Sequence, residues 1–261
     1  MAELTASRVR DDLRALGVLD GMTVMVHASL RRIGPVAGGA DGIIDALDAA
    51  VGPEGTLVMN LGSDPGVTPF DARSTPAAPD VGILAEVFRR RAGTRVSDHP
   101  DGRFGARGAG AEALLAEQPW NDYYGPGSPL DKLVAGGGKV LRLGANPDTV
   151  TLIHLAEYLV PLEGKRRVRR EHLVARGDGA ELCAVECLDD SDGIVAWPGE
   201  DYFARILQEY LAAGRGTIGR VGNARSQLLD ARDLVDFGVA WMSEHFRPAP
   251  PATPPAGGQR P

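Results

Sequence analysis

Cysteine, long apolar runs and excess positive charge are all scarce in this chain. Its 261 residues include two cysteines, Cys183 and Cys187, too few for a disulfide framework at this length. No run approaches the roughly 18 apolar residues of a membrane span, and the first residues, MAELTASRVRDDL, have no apolar core of signal-peptide type. These absences predict a cytoplasmic protein with reduced thiols and no membrane partner.

Acidic residues outnumber basic ones, giving a formal net charge of −7 and a pI of about 5.3. Nucleic-acid-binding proteins normally have a basic face, and the basic runs here, Arg89–Arg91 and Lys165–Arg170, are short. The charge balance therefore predicts no nucleic-acid partner. It suits a cationic substrate, although most acidic proteins bind no polycation.

What the sequence does contain is an alternation of short apolar strands with amphipathic helices. Residues 22–27 and 55–60 are typical of buried strands, and 41–51 has helical spacing between them. A strand–helix–strand unit favours parallel pairing. We also expect a strand at 138–144, two antiparallel strands within 172–190 around a turn at 177–179, and helices at 5–16, 81–92, 111–117, 148–160, 200–213 and 230–245.

The fold class predicted from this order is α/β: a mixed sheet with a parallel core flanked by helices, and a smaller antiparallel lobe around 165–200. Hydrophobic residues make up 43% of the chain, enough for a sizeable core. We expect a single domain over 1–246. The Pro-rich tail, 247–261, has no apolar anchors and is predicted to be disordered.

The segment after the first predicted strand is a candidate anion site. It reads HASLRRIGPV over 27–36 and leads into a predicted helix. Backbone N–H groups at a helix N-terminus suit a pyrophosphate. The segment is neither GxGxxG nor a Walker motif, and a plain tight connection explains the spacing equally well. A second Gly-rich stretch, 105–110, follows no convincing strand and is interpreted as an ordinary connection.

The sharpest chemical signal is His154 followed by Glu157 in a predicted helix. Residues three apart share a helix face, and a carboxylate beside an imidazole fixes its tautomer and raises its basicity. Such a base suits the acetylation of an amine, which loses a proton as it attacks a thioester. The competing interpretation is a structural hydrogen bond between the two side chains.

Neither the histidine nor the cysteine pattern indicates a metal site. HxxE is not HExxH, and no second His lies within a helical turn of His154. Cys183 and Cys187 form a CxxxC with only His172 near them in sequence, and are expected to be buried strand residues facing one side. We therefore predict no metal.

Acidic residues are dense over 186–201, which permits two interpretations. One is a polar turn followed by a helix N-terminus, where acids interact favourably with the helix dipole. The other is a set of carboxylates that bind the ammonium groups of a substrate. The candidates for that role are Asp189, Asp190, Asp192 and, in the long loop 61–80, Asp64.

These pieces, in this order, resemble the aminoglycoside 3-N-acetyltransferase family, whose antibiotic N-acetyltransferase fold is distinct from that of the common N-acetyltransferase superfamily. The similarity covers nearly the whole chain except the tail. Its stretches are VHASLRRIGPVAGGADGIIDALDAAVGPEGTLVM at 26–59, GPGSPLDKLVAGGGKVLRLGANPDTVTLIHLAE at 125–157, GKRRV at 164–168, DDSDGI at 189–194 and GRVGNARSQLLDARDLVDFGVAWMSEHF at 219–246.

The resemblance implies acetyl-CoA-dependent acetylation of the 3-amino group of an aminoglycoside antibiotic, by direct transfer with His154 as general base beside Glu157. It implies a monomer or homodimer, and it assigns Asp190 and its acidic neighbours to the antibiotic. The residues that match the family's CoA-binding segment are His27, Ser29, Leu30, Arg31, Gly34, Pro35 and Val36.

Three departures from the family pattern lie near the expected substrate site. Met59-Asn60 stands where the family often has Met-Pro, 99–104 keeps only the family's His-Pro, and the loop 61–80 is shorter than in some relatives. They leave the antibiotic spectrum open. Two alternatives therefore stand beside the main prediction: the same chemistry on a non-antibiotic amine, and a non-catalytic aminoglycoside-binding protein.

Overall fold

The apolar runs of the sequence form strands in the computed structural model, which describes residues 3–162, 165–190 and 201–246. In chain order the strands are β1 (Thr23–Ala28), β2 (Thr56–Asn60), β3 (Arg95–Val96), β4 (Phe104–Gly108), β5 (Lys139–Leu143), β6 (Arg167–Arg176), β7 (Gly179–Leu188), β8 (Thr217–Val221) and β9 (Ala224–Asp230).

Helices precede β1, follow β9 and connect most of the strands between them. They are α1 (Ala6–Leu16), α2 (Leu30–Ile33), α3 (Gly39–Val51), α4 (Ile83–Arg90), α5 (Ala111–Leu115), α6 (Pro129–Ala135), α7 (Ile153–Tyr158), α8 (Tyr202–Ala212) and α9 (Ala231–His245), with a short 3-10 helix at Pro79–Val81. Of the helices that can be described, none is long and apolar enough to cross a membrane.

The described strands form a seven-stranded sheet and a separate hairpin, and this arrangement confirms the predicted fold class. In the large sheet the order is β3-β4-β2-β1-β5-β9-β8. The central strands β2, β1 and β5 are parallel, and antiparallel strands extend the sheet on both sides. The hairpin of β6 and β7 is the smaller antiparallel lobe, paired from Arg167↔Leu188 to Arg176↔Gly179.

Helices cover both faces of the large sheet, because its central strands are apolar on both sides. In β1, Val24 and Val26 face a core formed with α1, α3 and α4, whereas Met25 faces the opposite core, formed with α6 to α9. Parallel strands buried on both faces in this way explain why β1, β2 and β5 are continuous apolar runs.

Two local predictions were wrong, and one open alternative is decided. The plain connection considered for 27–36 does not form, since α2 occupies four of its residues. The helix expected over 148–160 is confined to α7. The stretch 105–110 is not an ordinary connection, because β4 runs through it; a Cβ at Gly105 would lie 3.3 Å from Phe88, so the glycine lets α4 pack closely on the strand. The predicted tail, 247–261, lies outside the described residues.

The topology brings several loops to one edge of the sheet. Because β1, β2 and β5 are parallel, their carboxyl ends meet there, and the chain then continues into 29–38, 61–78 and 144–152. Crevices outside the carboxyl ends of parallel strands are the usual ligand sites of open α/β sheets.

Candidate active site

A cavity of about 530 Å³ lies at this edge, and we call it the β1 cleft. The end of β1 and the start of α2 form one wall, and the turn before α4 forms another. Within β1 and α2, the residues that line it are Val26, His27, Ala28, Ser29, Leu30, Arg31 and Arg32. Four of the seven residues predicted to bind CoA are therefore at the cleft.

A second cavity, of about 340 Å³, adjoins the first, and we call it the histidine cleft. Its lining includes His154 and Glu157 of α7 and Phe203 of α8. Two residues, Asp80 and Thr149, line both cavities. A ligand in the β1 cleft and one in the histidine cleft would therefore meet at this shared wall.

His154 is held by its own helix and by two aromatic rings. Its Nδ1 lies 2.8 Å from Glu157 Oε2. The ring stacks on Tyr124, with centroids 4.9 Å apart and planes 12° apart, and meets Phe203 edge-on at 4.7 Å. With Nδ1 bound to the carboxylate, the free lone pair of a neutral ring is on Nε2.

Glu157 is buried, and three donors surround its carboxylate. Besides His154, Lys165 Nζ lies 2.6 Å from Oε1, and the Tyr202 hydroxyl donates to the same oxygen. Burial alone would raise the pKa of Glu157, but the hydrogen bonds and charges of His154 and Lys165 outweigh it and hold the pKa below its usual value. The carboxylate is therefore an anion near neutral pH.

His27, in the β1 cleft, has a different environment. Burial, with the nearby positive charge of Arg142, lowers its pKa to about 3, so the ring is neutral at physiological pH. Its Nε2 is buried and has no hydrogen-bond partner among the described residues. Buried polar atoms are usually satisfied, so His27 Nε2 is an atom with which a ligand in the β1 cleft could form a hydrogen bond.

Two arginines hold the loop that follows β5. Arg32 donates to the Gly144 carbonyl at 2.5 Å and to Asn146 Oδ1 at 2.8 Å. Arg142, buried in β5, donates to Gln227 Oε1 at 2.9 Å and also to the Asn146 carbonyl. Because this loop leads into α7, the same contacts fix the approach to His154.

Residues 25–243 match the family model for aminoglycoside 3-N-acetyltransferase. The chain belongs to this family. The aminoglycoside N(3)-acetyltransferase VII of Streptomyces paromomycinus is 42% identical over 265 residues, covering 92% of this chain and 92% of the relative. The protein is thus an enzyme of the acyltransferase class.

Solved structures of aminoglycoside acetyltransferases share the whole fold. AAC-IIIb in a binary complex with CoASH has a TM-score of 0.90 and 41% identity, covering 95% of this chain and 100% of that one. AAC-VIa with bound sisomicin has a TM-score of 0.89 and 35% identity, covering 94% of this chain and 100% of that one. These similarities confirm the predicted family and its fold.

Other residues that the family resemblance assigned to CoA lie differently. Gly34, Pro35 and Val36 are not among the residues that line the β1 cleft. The Pro35 carbonyl accepts from the Leu4 N–H at 2.8 Å, and Val36 forms a β-bridge with Leu4. This part of the family motif joins the start of the chain to the loop between α2 and α3.

The acids assigned to the antibiotic are already paired with protein groups. Asp190 lines the histidine cleft and accepts from Tyr123 Oη at 2.5 Å and from Arg170 at 2.6 Å. Asp189 is buried and pairs with Arg166. Because each pairing offsets charge, neither is a free carboxylate on an open surface.

Of the other two acids predicted to bind the antibiotic, Asp64 can be described and lies outside both clefts. The Asp64 carboxylate caps its own turn, accepting from the Gly66 N–H at 2.9 Å, and lines neither cleft. Asp192 lies outside the described residues. Two acids of the histidine cleft, Asp80 and Asp148, were not predicted, because they come from separate segments with no shared motif. A third, Asp201, lies in the predicted acidic segment 186–201 but was not among the candidates named there.

The two cysteines lie on β7, and neither belongs to a group of described residues that could bind a metal. Burial raises the pKa of the Cys187 thiol to about 11, and its Sγ lies 3.7 Å from Tyr123 Oη. Cys183 is half-buried on the same strand. Over the ranges that the structure describes, no group of three or more His, Cys, Asp and Glu side chains could hold a metal ion.

Proposed function

We propose that this enzyme transfers the acetyl group of acetyl-CoA directly to the 3-amino group of an aminoglycoside, with His154 as general base. The observation that carries the proposal is the His154–Glu157 pair, held at 2.8 Å beside a cavity that adjoins the β1 cleft. A base placed where two ligand sites meet can act on an amine bound in one and a thioester bound in the other.

Acetyl-CoA is proposed to occupy the β1 cleft. His27, Ser29, Leu30 and Arg31 line it, and the relative AAC-IIIb binds CoASH. In this assignment Gly34–Val36 act through the position of α2 instead of touching the cosubstrate. No metal is part of the proposal, because thioester aminolysis needs a base and oxyanion donors.

The antibiotic is proposed to occupy the histidine cleft. Its ammonium groups would face Asp80, Asp148, Asp190 and Asp201, whose carboxylates come from four segments around the base. Sisomicin binds to the relative AAC-VIa. Asp189 contributes through Arg166 and Arg170, whereas Asp64 is proposed to act farther out on the bound molecule. Asp192 is proposed to bind the antibiotic as well.

The chemistry proceeds without a covalent enzyme intermediate. The neutral amine attacks the thioester carbonyl, and Nε2 of His154 accepts the amine proton while Glu157 stabilises the imidazolium. Backbone N–H groups stabilise the oxyanion. The carbon–sulfur bond then breaks, and the thiolate of CoA takes the proton. Cys187 is a poor rival nucleophile, because its raised pKa keeps the thiol protonated.

A thiol-release assay with acetyl-CoA and a panel of aminoglycosides and unrelated amines tests this function. We expect CoA release only with aminoglycosides and a product acetylated at the 3-amino group by NMR. Turnover only with unrelated amines would favour a non-antibiotic substrate. Binding of an aminoglycoside without any turnover would favour a non-catalytic binding protein. Acetylated enzyme after mixing with acetyl-CoA alone would contradict direct transfer.

A further inference from the structure

Two donors close the side of Glu157 that faces away from His154. Lys165 Nζ lies 2.6 Å from Oε1, and Tyr202 donates to the same oxygen. The other oxygen, Oε2, accepts from His154 at 2.8 Å. Both oxygens of this carboxylate are thus occupied, and one of the donors carries a full positive charge.

Lys165 is deeply buried for a lysine. Its side chain is 3% exposed and that of Glu157 is 1% exposed. Burying an ion pair costs desolvation free energy that often cancels the attraction, so such a pair is weak evidence of a stabilising role. Its position directly behind the proposed base indicates a different purpose, which is to set the charge that His154 experiences.

We propose that Lys165 is a positioning residue that sets the pH at which His154 becomes a base, with Tyr202 as the second group that holds Glu157. This inference rests on the proposed function, because it assigns His154 as the acceptor of the amine proton. It also gives a role to Lys165 of the GKRRV stretch at 164–168, of which the proposed function otherwise uses only Arg166.

The direction of the effect follows from the charges. Glu157 and Lys165 together are neutral, so the attraction of the carboxylate for a proton on the imidazole is partly cancelled. Without the ammonium, a buried carboxylate would face His154 uncompensated, and the proton affinity of the coupled Glu157–His154 pair would rise. The pair would then remain protonated up to a higher pH, and less free base would exist near neutrality.

Other ionisable groups surround the same ring, and the Lys165 variants leave all of them unchanged. Burial and neighbouring carboxylates raise the pKa values of Tyr124 and Tyr202 far above physiological pH, so both hydroxyls keep their protons. Among the described residues of the histidine cleft, Lys165 is the only lysine or arginine. Four carboxylates line the same cleft in the wild type and in the Lys165 variants: Asp80, Asp148, Asp190 and Asp201.

The first test is the pH profile of kcat/KM for an aminoglycoside at saturating acetyl-CoA. In Lys165→Met we expect the midpoint of the acid limb to move up by about one unit, which is roughly a ten-fold loss of activity at a fixed pH on that limb. Lys165→Arg keeps the charge and should keep the midpoint, and Tyr202→Phe should give a smaller upward shift.

A purely structural role predicts a different result for these variants. Turnover would fall by the same factor at every pH and the midpoint would not move, and that outcome would overturn the proposal. Thermal melts identify variants that fail to fold. If Lys165→Met is one of them, Lys165→Gln replaces it, because glutamine keeps a donor toward Glu157 without the charge.

The second test does not depend on activity. The ring protons of His154 are followed by NMR against pH in the protein without substrates and are assigned by their loss in His154→Gln. Lys165→Met should shift this titration upward, and an unshifted titration in a folded variant would overturn the inference. If Lys165→Met shifts the His154 titration but the wild-type protein acetylates no amine, the proposed function is refuted and this inference is not.

Discussion

His154 is constrained at the level of single atoms. Glu157 fixes its Nδ1, Tyr124 covers one face at 4.9 Å, and Phe203 closes an edge at 4.7 Å. A ring confined in this way loses little freedom when it meets an amine, because its tautomer and orientation are already set. A side chain of similar size in place of His154 could therefore fill the same space but could not accept a proton.

Replacing His154 with glutamine should leave the fold intact and lower kcat by roughly a hundred-fold or more, the usual contribution of a general base. His245→Gln is the matched control, since that histidine lies at the exposed end of α9. Steady-state turnover and circular dichroism of both variants decide the matter. A well-folded His154→Gln enzyme with near-normal turnover would remove the base assignment.

The short helix α7 depends on its neighbours for its position. It has six residues, and an isolated helix of that length is not stable in water. Its Ala156 packs on Gly238 of α9, where an added Cβ would lie 3.2 Å from the Cβ of Ala156. The close approach of α9 thereby sets the depth at which His154 enters the cleft.

A larger side chain at position 238 should lower kcat by more than the loss of folding stability explains. We expect Gly238→Leu to push α7 outward, cost about 1–3 kcal/mol and lower kcat, with Gly238→Ala close to wild type. Leu13→Ala, in the core on the opposite side of the sheet, is the control for destabilisation without displacement of α7. Equal kcat in Gly238→Leu and Leu13→Ala enzymes, measured below their melting temperatures, would argue against this role of α9.

Elements with a strong apolar period were predictable, and those that depend on distant contacts were not. The helices α1, α3 and α9 follow their predicted spans because each repeats apolar residues on one face. The strand β8 was missed because it is mostly exposed, and β4 because it is rich in glycine. Neither has the alternation that identifies a half-buried strand.

The same distinction applies to the site. The contact between His154 and Glu157 was predictable, since spacing by three on a helix implies it. The contacts of Lys165 and Tyr202 with Glu157 join α7 to segments 8 and 45 residues away in sequence. No local pattern encodes such approaches, because they arise only when α7, α8 and the segment before β6 pack together.

At the scale of the whole molecule, charge should guide the two substrates in opposite ways. The chain carries a formal net charge of −7, and four aspartates line the histidine cleft. A polycationic aminoglycoside is attracted by this field, whereas acetyl-CoA is an anion. Clefts lined by charge of one sign raise the encounter rate with oppositely charged ligands, and salt weakens that effect.

Raising the ionic strength should therefore lower kcat/KM for the aminoglycoside, by roughly ten-fold between about 0.05 and 0.5 M salt, at the low end of measured steering effects. The KM for acetyl-CoA should not rise in parallel. An acceptor with fewer amines provides the control and should give a shallower slope. Identical slopes for both acceptors would show that the carboxylates do not act through long-range attraction.

The shared wall between the two clefts has a consequence for inhibition. Asp80 and Thr149 line both cavities, so a molecule that joins a pantetheine thiol to an aminoglycoside amine by a short bridge would occupy both cavities at once. Binding of the pantetheine part would place the aminoglycoside part at a high effective concentration, and the affinity of the hybrid would exceed that of either part alone. Such a hybrid would compete with cosubstrate and antibiotic together.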